Sequence, residues 1–308
     1  MVSILQFNVL ADHLSDAFPL VDGECLKWEN RKSLILDHIM RRNPEAKLQG
    51  KESPEAKLQG KESPEAKLQG KESPEAKLQG KESPDIICLE EVDHFIDWFQ
   101  PELAAFGYTG HFITKKTDGC ALFFKNLKLR AGSAGIRLIK LSDYLPAPFN
   151  KTSQQVAIVA HLVDNDFKDL VIGITHLKAK YGFDEMRLAQ MKIMCEKVNE
   201  IKEHVGENCG ILLAGDFNAD PGSNVVNFVN QQLTSSFPLN NPSFFTTWKI
   251  RPPEENKRVI DYIFHSSNLS CVDTFYPNDE SLIPYPRLPS SIFPSDHLPI
   301  YSKFEWVT

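Results

Sequence analysis

No apolar run in this chain is long enough to cross a bilayer, and positive charge is not in excess. Lysine and arginine number 34 against 41 acidic residues, a net charge of -7. That balance argues against a broad, non-specific nucleic-acid surface, though not against a local basic pocket. An acidic protein that handles a phosphorylated substrate would need a metal ion or clustered Lys and Arg to offset repulsion. The N-terminus lacks a basic-then-apolar leader pattern, and Ser3–Leu10 already reads as a core strand. The six cysteines show no metal-ligand spacing; Cys88, Cys120 and Cys195 sit in apolar surroundings and read as buried thiols. A reducing, cytoplasmic location is the expectation that follows.

What is present is a globular composition: 308 residues, 42% hydrophobic and 24% charged. The length suits one large domain or two ordinary ones. Residues 1–308 read as a single catalytic domain broken by one insertion. Across Glu45–Pro84 the ten residues Glu-Ala-Lys-Leu-Gln-Gly-Lys-Glu-Ser-Pro occur four times in tandem without change. Each copy offers one Leu and one Ala and is broken by Gly and Pro. No unit can bury a face, which excludes a solenoid and predicts a flexible, near-neutral insertion. Joining Pro44 to Asp85 restores a normal helix-to-strand connection, so the repeats read as an expansion of that loop, with no partner assigned.

Apolar runs that end in polar residues recur along the rest of the chain. Ser3–Leu10 carries Asn8 near its end, where asparagine is disfavoured in a strand. Trp28–Arg42 reads as a helix with Leu34, Ile35, His38 and Ile39 on one face, stopped at Asn43-Pro44. Asp85–Leu89 is followed by Glu90 and Glu91; neighbouring carboxylates on an extended chain face opposite ways, and sharing a face with Ile87 and Leu89 makes Glu91 the inward one. Asp93–Phe106 reads as a short helix and Gly119–Phe124 as a strand. Gln154–Leu162 and Asp169–Thr175 form a predicted hairpin whose second strand runs into His176. Asp184–Val205 is the longest predicted helix, with Asp184 as its N-cap. Phe244–Arg251 leads into a charged loop, and Val259–Phe264 is a strand with one acid, Asp261, inside its apolar run. A buried Asp must be paired. Asp296 and His297, adjacent before the last strand, are a candidate acid/base pair.

Ile211–Ala214 is a short apolar run that enters Gly215-Asp216-Phe217-Asn218. On its own this is a turn closing a core strand. Period-two alternation also lets Asp216 and Asn218 share a face, which suits a metal or phosphate site. Asn8, Glu91, His176, Asp216, Asn218, Asp261, Asp296 and His297 each have a structural explanation alone. Eight polar residues at corresponding strand ends point instead to one site, built on two packed sheets flanked by helices.

The ordered motifs Phe7-Asn8, Leu89-Glu90-Glu91-Val92, Thr175-His176-Leu177, Gly215-Asp216-Phe217-Asn218, Ile260-Asp261-Tyr262 and Ser295-Asp296-His297 resemble the endonuclease/exonuclease/phosphatase superfamily. The resemblance spans the chain apart from the repeats. It implies a four-layered α/β sandwich and hydrolysis of phosphoesters with Mg²⁺, or Mn²⁺ in its place. Within the superfamily, Leu26-Lys27-Trp28-Glu29, His176-Leu177-Lys178-Ala179-Lys180 and Thr246–Arg251 resemble the deadenylase-related branch. That branch implies a phosphorylated nucleotide substrate: either the 2'-phosphate of NADP(H), which is favoured, or the poly(A) tail of RNA. By the same resemblance Asn8, Glu91 and Asp296 serve the metal, and His176, Asp216, Asn218, Asp261 and His297 the chemistry. Lys178, Lys180, Arg251 and Lys115 then contact phosphate. Lys180 stands where the family usually has Arg, which keeps the charge but loses a bidentate fork. Asp216 and His297 both remain candidates for the base.

Overall fold

Strands that are apolar on both faces must be covered on both faces. Val2–Asn8 and Gly210–Asp216 are buried at every residue, and both sit inside a layered structure rather than at its surface. The structure is a computed structural model, and it describes residues 1–40, 83–277 and 280–307. The repeats up to Glu82 and the last turn expected of the first long helix, Arg41–Arg42, lie outside the described residues.

In chain order the elements are β1 (Val2–Asn8), α1 (Gly23–Leu26), α2 (Trp28–Met40), β2 (Ile86–Val92), α3 (Gln100–Ala105), β3 (Tyr108–Thr114), β4 (Gly119–Lys125) and β5 (Leu129–Lys140). They continue with α4 (Phe149–Thr152), β6 (Val156–Asp164), β7 (Asp169–His176), α5 (Asp184–Val205), β8 (Gly210–Asp216), α6 (Asn224–Asn230) and β9 (Thr234–Ser235). The chain closes with β10 (Thr247–Arg251), β11 (Glu254–Arg258), β12 (Asp261–His265), β13 (Leu269–Phe275) and β14 (Ile300–Trp306). One sheet runs β13-β14-β1-β2-β4-β3 and the other β5-β6-β7-β8-β12-β9; β10 and β11 form a separate ribbon.

Ile4, Ile86, Cys88 and Leu122 of the first sheet meet Ile158, Ile172, Leu212 and Ile263 of the second in one core. On the outer face of the first sheet, Phe7, Ile87, Leu89 and Phe123 pack against Ile35, Ile39 and Leu103 of α2 and α3. Outside the second sheet, Met191, Met194 and Val198 of α5 and Val226 and Val229 of α6 complete the core. The result is the expected four-layered α/β sandwich.

Two local expectations change. Asp184 is the first residue of α5 and Phe183 stands at the N-cap; the Asp184 carboxylate accepts instead from Arg187 Nη2 at 2.7 Å. The charged loop after Arg251 is largely a strand: Glu254–Arg258 pairs back on β10, with Thr247 opposite Arg258. Its Lys257 lies 4.5 Å from the Trp248 ring centroid and Arg287 lies 3.9 Å from it. Flanking cations thus cover the Trp248 ring, which also packs against the cluster of Phe245, Ile283, Leu288, Phe293 and Leu298. No helix among the described residues is long and apolar enough to cross a membrane.

Candidate active site

Strand register alone brings three of the expected residues together. β7 and β8 run parallel with His176 beside Asp216, and β12 runs antiparallel to β8 with Asp261 opposite Asp216. Residues paired across a ladder share a face, so an imidazole and two carboxylates stand in a row at one end of the second sheet. The glycine before Asp216 is a steric need. Gly215 has φ +147°, and a Cβ there would lie 2.0 Å from the Thr175 carbonyl oxygen. Beyond Asp216 the chain leaves the sheet through Asn218, at φ +49°. The Asn218 backbone N–H donates to Asp216 Oδ1 at 2.9 Å and its side-chain amide to Leu177 O at 3.1 Å. Asn218 therefore closes the loop and fixes the carboxylate.

The first sheet supplies the facing half. Asn8 Nδ2 donates to Asp216 Oδ2 at 3.1 Å, and Asn8 Oδ1 accepts from the Leu10 N–H at 3.1 Å. The last strand enters through a loop locked at both ends. Ser295 Oγ donates to Asn8 O at 2.7 Å, the His297 N–H donates to Ser295 Oγ at 3.1 Å, and Thr247 Oγ1 donates to Asp296 O at 2.7 Å. His297 Nδ1 then meets Asp261 Oδ2 at 2.8 Å, while its Nε2 lies 3.8 Å from Asp216 Oδ2. His176 Nε2 approaches that same Asp216 oxygen at 3.5 Å.

Glu91 arrives by a different route from the one alternation suggests. Ile87 and Leu89 face the helices, whereas Ile86 and Cys88 face the second sheet, and Glu90 is the fully buried carboxyl. A register shift between Leu89 and Val92 and a left-handed backbone at Glu91, φ +55°, break the alternation there. Glu91 Oε2 faces the Ala11 N–H at 3.4 Å, and its charge acts on both Asp216 and Lys115. A bulge, not a strand face, turns Glu91 toward the site.

The cations are partly those expected. Lys115 Nζ lies 2.8 Å from Asp118 Oδ1 and 3.4 Å from His176 Nδ1, inside the site. Arg251 Nη2 lies 3.3 Å from Asp296 Oδ2 and its guanidinium covers the Phe18 ring. Lys249, which sequence reading passes over, is 2.5 Å from the same oxygen. Its signal was legible: Lys249 and Arg251 alternate on β10 and must share a face. Lys178 stacks over Phe183 at 5.1 Å, and Lys180 is exposed at φ +78°, so both stand at the rim. Gln6, Glu90 and Thr246 were also passed over. Thr246 Oγ1 donates to Asp261 Oδ2 at 2.6 Å, and Gln6 Nε2 reaches both Glu90 and Asp261.

Burial and charge crowding set the protonation states. Burial, then the Asp261 carboxylate, raise the Asp216 pKa to about 7, against the opposing pull of His297 and the Asn218 N–H. For His297 burial acts downward, but Asp261, Asp296 and Asp216 outweigh it and raise the imidazole to about 9. His176 goes the other way: burial, Lys115 and His297 hold it well below its usual range and neutral. Burial works against Asp296 too, yet Lys249, His297 and Arg251 keep it a carboxylate far below its ordinary pKa. Glu90 is driven well upward by burial and by Asp261. Two acids pushed upward beside Glu91 indicate a centre short of positive charge. The donors there are carboxylate and amide oxygens, the set that a hard divalent cation such as Mg²⁺ takes. Asp216, Asp261 and His297 alone also place one ligand atom each within 4.8 Å of one another, but Asp261 and His297 are already bonded together.

Two packed sheets that meet at a cluster of acids and imidazoles define a phosphoester-hydrolase type of site, and the comparisons agree. The chain belongs to the Endonuclease/Exonuclease/phosphatase family, which matches it over residues 6–297. Among curated proteins it is similar to nocturnin of Rattus norvegicus, 31% identical over 331 residues, covering 99% of this chain and 66% of that protein. Nocturnin of Xenopus laevis is 32% identical, covering 98% and 72% respectively. This chain thus spans about two thirds of the length of such relatives. The human nocturnin catalytic domain with bound sulfate superposes with a TM-score of 0.68 at 27% identity, over 99% of this chain and 93% of that one. ANGEL2, a 2',3'-cyclic phosphatase solved with adenosine-2',3'-vanadate, reaches 0.73 at 18% identity over 98% and 95%, a likeness of fold.

Proposed function

We propose that this chain is a Mg²⁺-dependent phosphatase that removes the 2'-phosphate of NADP(H). One observation carries the substrate reading: the basic residues at the catalytic centre form a compact cluster of Lys115, Lys249 and Arg251. These three converge on the site's own carboxylates, Lys115 on Asp118 and Lys249 and Arg251 on Asp296, and farther out Arg258 pairs with Asp220, Lys257 with Glu280 and Arg287 with Glu255. A single phosphate needs a few converging cations, whereas an RNA strand needs a long unneutralised track. The human nocturnin catalytic domain, to which this chain is similar, was solved with a bound sulfate, an anion of the size and shape of a single phosphate.

Glu91 and the Asn8 amide oxygen would hold the metal, with Asp296 shaping its position through Lys249 and Arg251. When bound, the ion neutralises phosphoryl charge as the ester oxygen departs. The rest is the work of this chain. Lys249, Arg251 and Lys115 draw the phosphate in. His176, kept neutral, donates to a non-bridging oxygen through Nε2. Asp216, with a pKa near neutrality, takes the proton of the attacking water, and Asn8 and Asn218 fix its two oxygens. Against the effect of burial, Asp261, Asp296 and Asp216 raise His297 to about 9, so in this reading it is the cation and Asp216 the base. Held by Asp261, His297 presents an Nε2–H to the developing negative charge. Water oxygen bonds to phosphorus, the ester P–O bond breaks, and the departing 2'-oxygen takes the His297 Nε2 proton to leave as the hydroxyl, with inorganic phosphate as co-product and the proton held by Asp216 returned through solvent.

Incubation with Mg²⁺ and either NADPH or oligo(A) tests this. Phosphate release from NADPH with oligo(A) intact supports it. A ladder of shortened oligo(A) with NADPH untouched replaces it with a 3' exoribonuclease that trims poly(A).

A further inference from the structure

Glu90 is a fully buried carboxyl that the mechanism above does not use, and its neighbour Gln6 is equally buried. Gln6 Nε2 donates to Glu90 Oε2 at 2.7 Å and to Asp261 Oδ1 at 3.0 Å. One –NH₂ group thus bridges two carboxyls on different sheets. The amide orientation is dictated by Asp261, since turning it over would set Gln6 Oε1 against the Asp261 carboxylate oxygen. Among the described residues, neither Gln6 Oε1 nor Glu90 Oε1 has a hydrogen-bond partner. A buried amide with an unpaired oxygen is costly, so this arrangement is not explained by stability.

We propose that Gln6, anchored by Glu90, is a positioning residue for the Asp261–His297 pair. The inference rests on the phosphoester-hydrolase reading of the site, not on which phosphoester is cleaved. Its physical content is the torsion of a carboxylate. Asp261 Oδ2 accepts from Thr246 Oγ1 at 2.6 Å and faces His297 Nδ1 at 2.8 Å. Both contacts fall on one oxygen, which leaves the carboxylate plane free to swing about them. Gln6 Nε2 on Oδ1 is the third point that fixes the plane. The plane of Asp261 sets the direction of the His297 ring, and with it where Nε2 points relative to Asp216. Sequence already hinted at this, because Gln6 and Asn8 alternate on β1 and share its face.

The test is Gln6→Met, similar in length but without the donor, read in three ways. The first is phosphate release from NADPH with Mg²⁺, or oligo(A) cleavage if the wild-type chain prefers it; that choice separates the substrate question from this one. Gln6→Met should lower kcat at least about tenfold with KM within about twofold, as loss of a supporting hydrogen bond does. The second is a double-mutant cycle, in which Gln6→Met should have little further effect in an Asp261→Asn background. The third needs no turnover: the proton on His297 Nδ1, hydrogen-bonded to Asp261, gives a far-downfield NMR resonance that should shift or broaden in Gln6→Met. Glu90→Gln, whose amide oxygen accepts the same bond, should exceed Glu90→Met in kcat by a similar factor. The proposal is overturned if the Gln6→Met loss is undiminished in the Asp261→Asn background, or if the resonance stays in place. A loss that follows melting temperature alone would also overturn it.

Discussion

Asp216 and Asp261 stand opposite one another across two antiparallel strands, and one imidazole, His297, spans them. Two buried acids set that close repel, and the fold holds them there at a cost to its own stability. Asp261 accepts from Gln6, Thr246 and His297. Asp216 bears the penalty, and its pKa rises to about 7.

Asp216→Asn should therefore cost activity and gain stability. Turnover should fall by about 10³-fold, the scale of losing a general base. The folded protein should gain about 1 kcal/mol at pH 8, because a neutral amide relieves a crowded buried charge. The sign fixes the pH window. A carboxyl with a folded pKa above its unfolded value binds more protons when folded. The wild type then pays no penalty below about pH 4 and pays it fully above about pH 7. Melting curves at pH 5 and pH 8 check this: the mutant's advantage, about 2–4 °C for each kcal/mol, should appear at pH 8 and shrink at pH 5. An equal advantage at both would contradict it.

The rate profile follows from the same pair. With Asp216 near 7 as base and His297 near 9 as the cation, kcat/KM should rise through about pH 7 and fall through about pH 9. A divalent ion beside Asp216 adds positive charge, so raising Mg²⁺ should move only the rising limb to lower pH. The His297–Asp261 contribution to stability is fully present below about pH 6.5 and lost as pH passes about 9. A profile whose acid limb ignores the metal concentration would place the ion elsewhere.

How much of this could be read beforehand follows from burial. Central strands announce themselves because both faces are covered, as Val2–Asn8, Ile86–Val92 and Gly210–Asp216 show. Within the two large sheets, the strands that sequence reading passes over, β3, β5, β9 and β13, are the four sheet edges. An edge strand is half solvated and its apolar residues are interrupted: the first seven residues of β5 read Leu-Arg-Ala-Gly-Ser-Ala-Gly. In the site, residues at strand ends were legible by type and place. Glu91 is turned by a route that alternation does not give, because no pattern announces a left-handed residue in a bulge. Lys249 and Gln6 were hidden only by attention to the residue two positions on. Asp184 shows a second limit, since a first-turn acid reads the same whether it caps the helix or pairs with Arg187.

Lys249 offers a prediction that separates binding from chemistry. Its ammonium touches Asp296, not Asp216 or His297. Lys249→Met should raise KM for the phosphorylated substrate about tenfold with a smaller change in kcat, as loss of uniform phosphate binding does. It should also destabilise the chain by about 2 kcal/mol, since Asp296 is buried and keeps the more exposed Arg251 and the more distant His297. Steady-state kinetics and thermal melts together check this; a kcat collapse at unchanged KM would move Lys249 into the chemical step.

Metal binding can be read without turnover. If Glu91 is the principal carboxylate for the ion, Mg²⁺ should raise the wild-type melting temperature, by about 2.7 kcal/mol of stabilisation at a hundredfold excess over Kd. Glu91→Ala should fold, lose that increment and lose activity, while chelation should silence the wild type reversibly. Retention of the full Mg²⁺-dependent shift in Glu91→Ala would remove Glu91 from the metal site.

The tandem repeats give the last prediction. Ser83 and Pro84, where the last copy rejoins the sheet, are tied down: Lys125 Nζ donates to Ser83 Oγ at 2.6 Å, and Tyr108 Oη donates to Pro84 O. Deleting Glu45–Pro84 places Pro44 directly before Asp85, so a proline carbonyl again precedes the strand where Tyr108 can reach it. Asp85 keeps its own tie, accepting from the Ser3 N–H at 3.0 Å. Shortening the connection removes closure entropy that grows only as the logarithm of its length, so the gain in stability should be about 2 kcal/mol at most. Turnover should stay within about twofold, because Glu91 is held from the far side, by the Ala11 N–H and the pairing of β2 with β1 and β4. A Lys125→Met control should lower stability without altering KM. If the deletion instead abolishes Mg²⁺-dependent turnover while the protein still melts cooperatively, the insertion shapes the Glu91 turn and is part of the site.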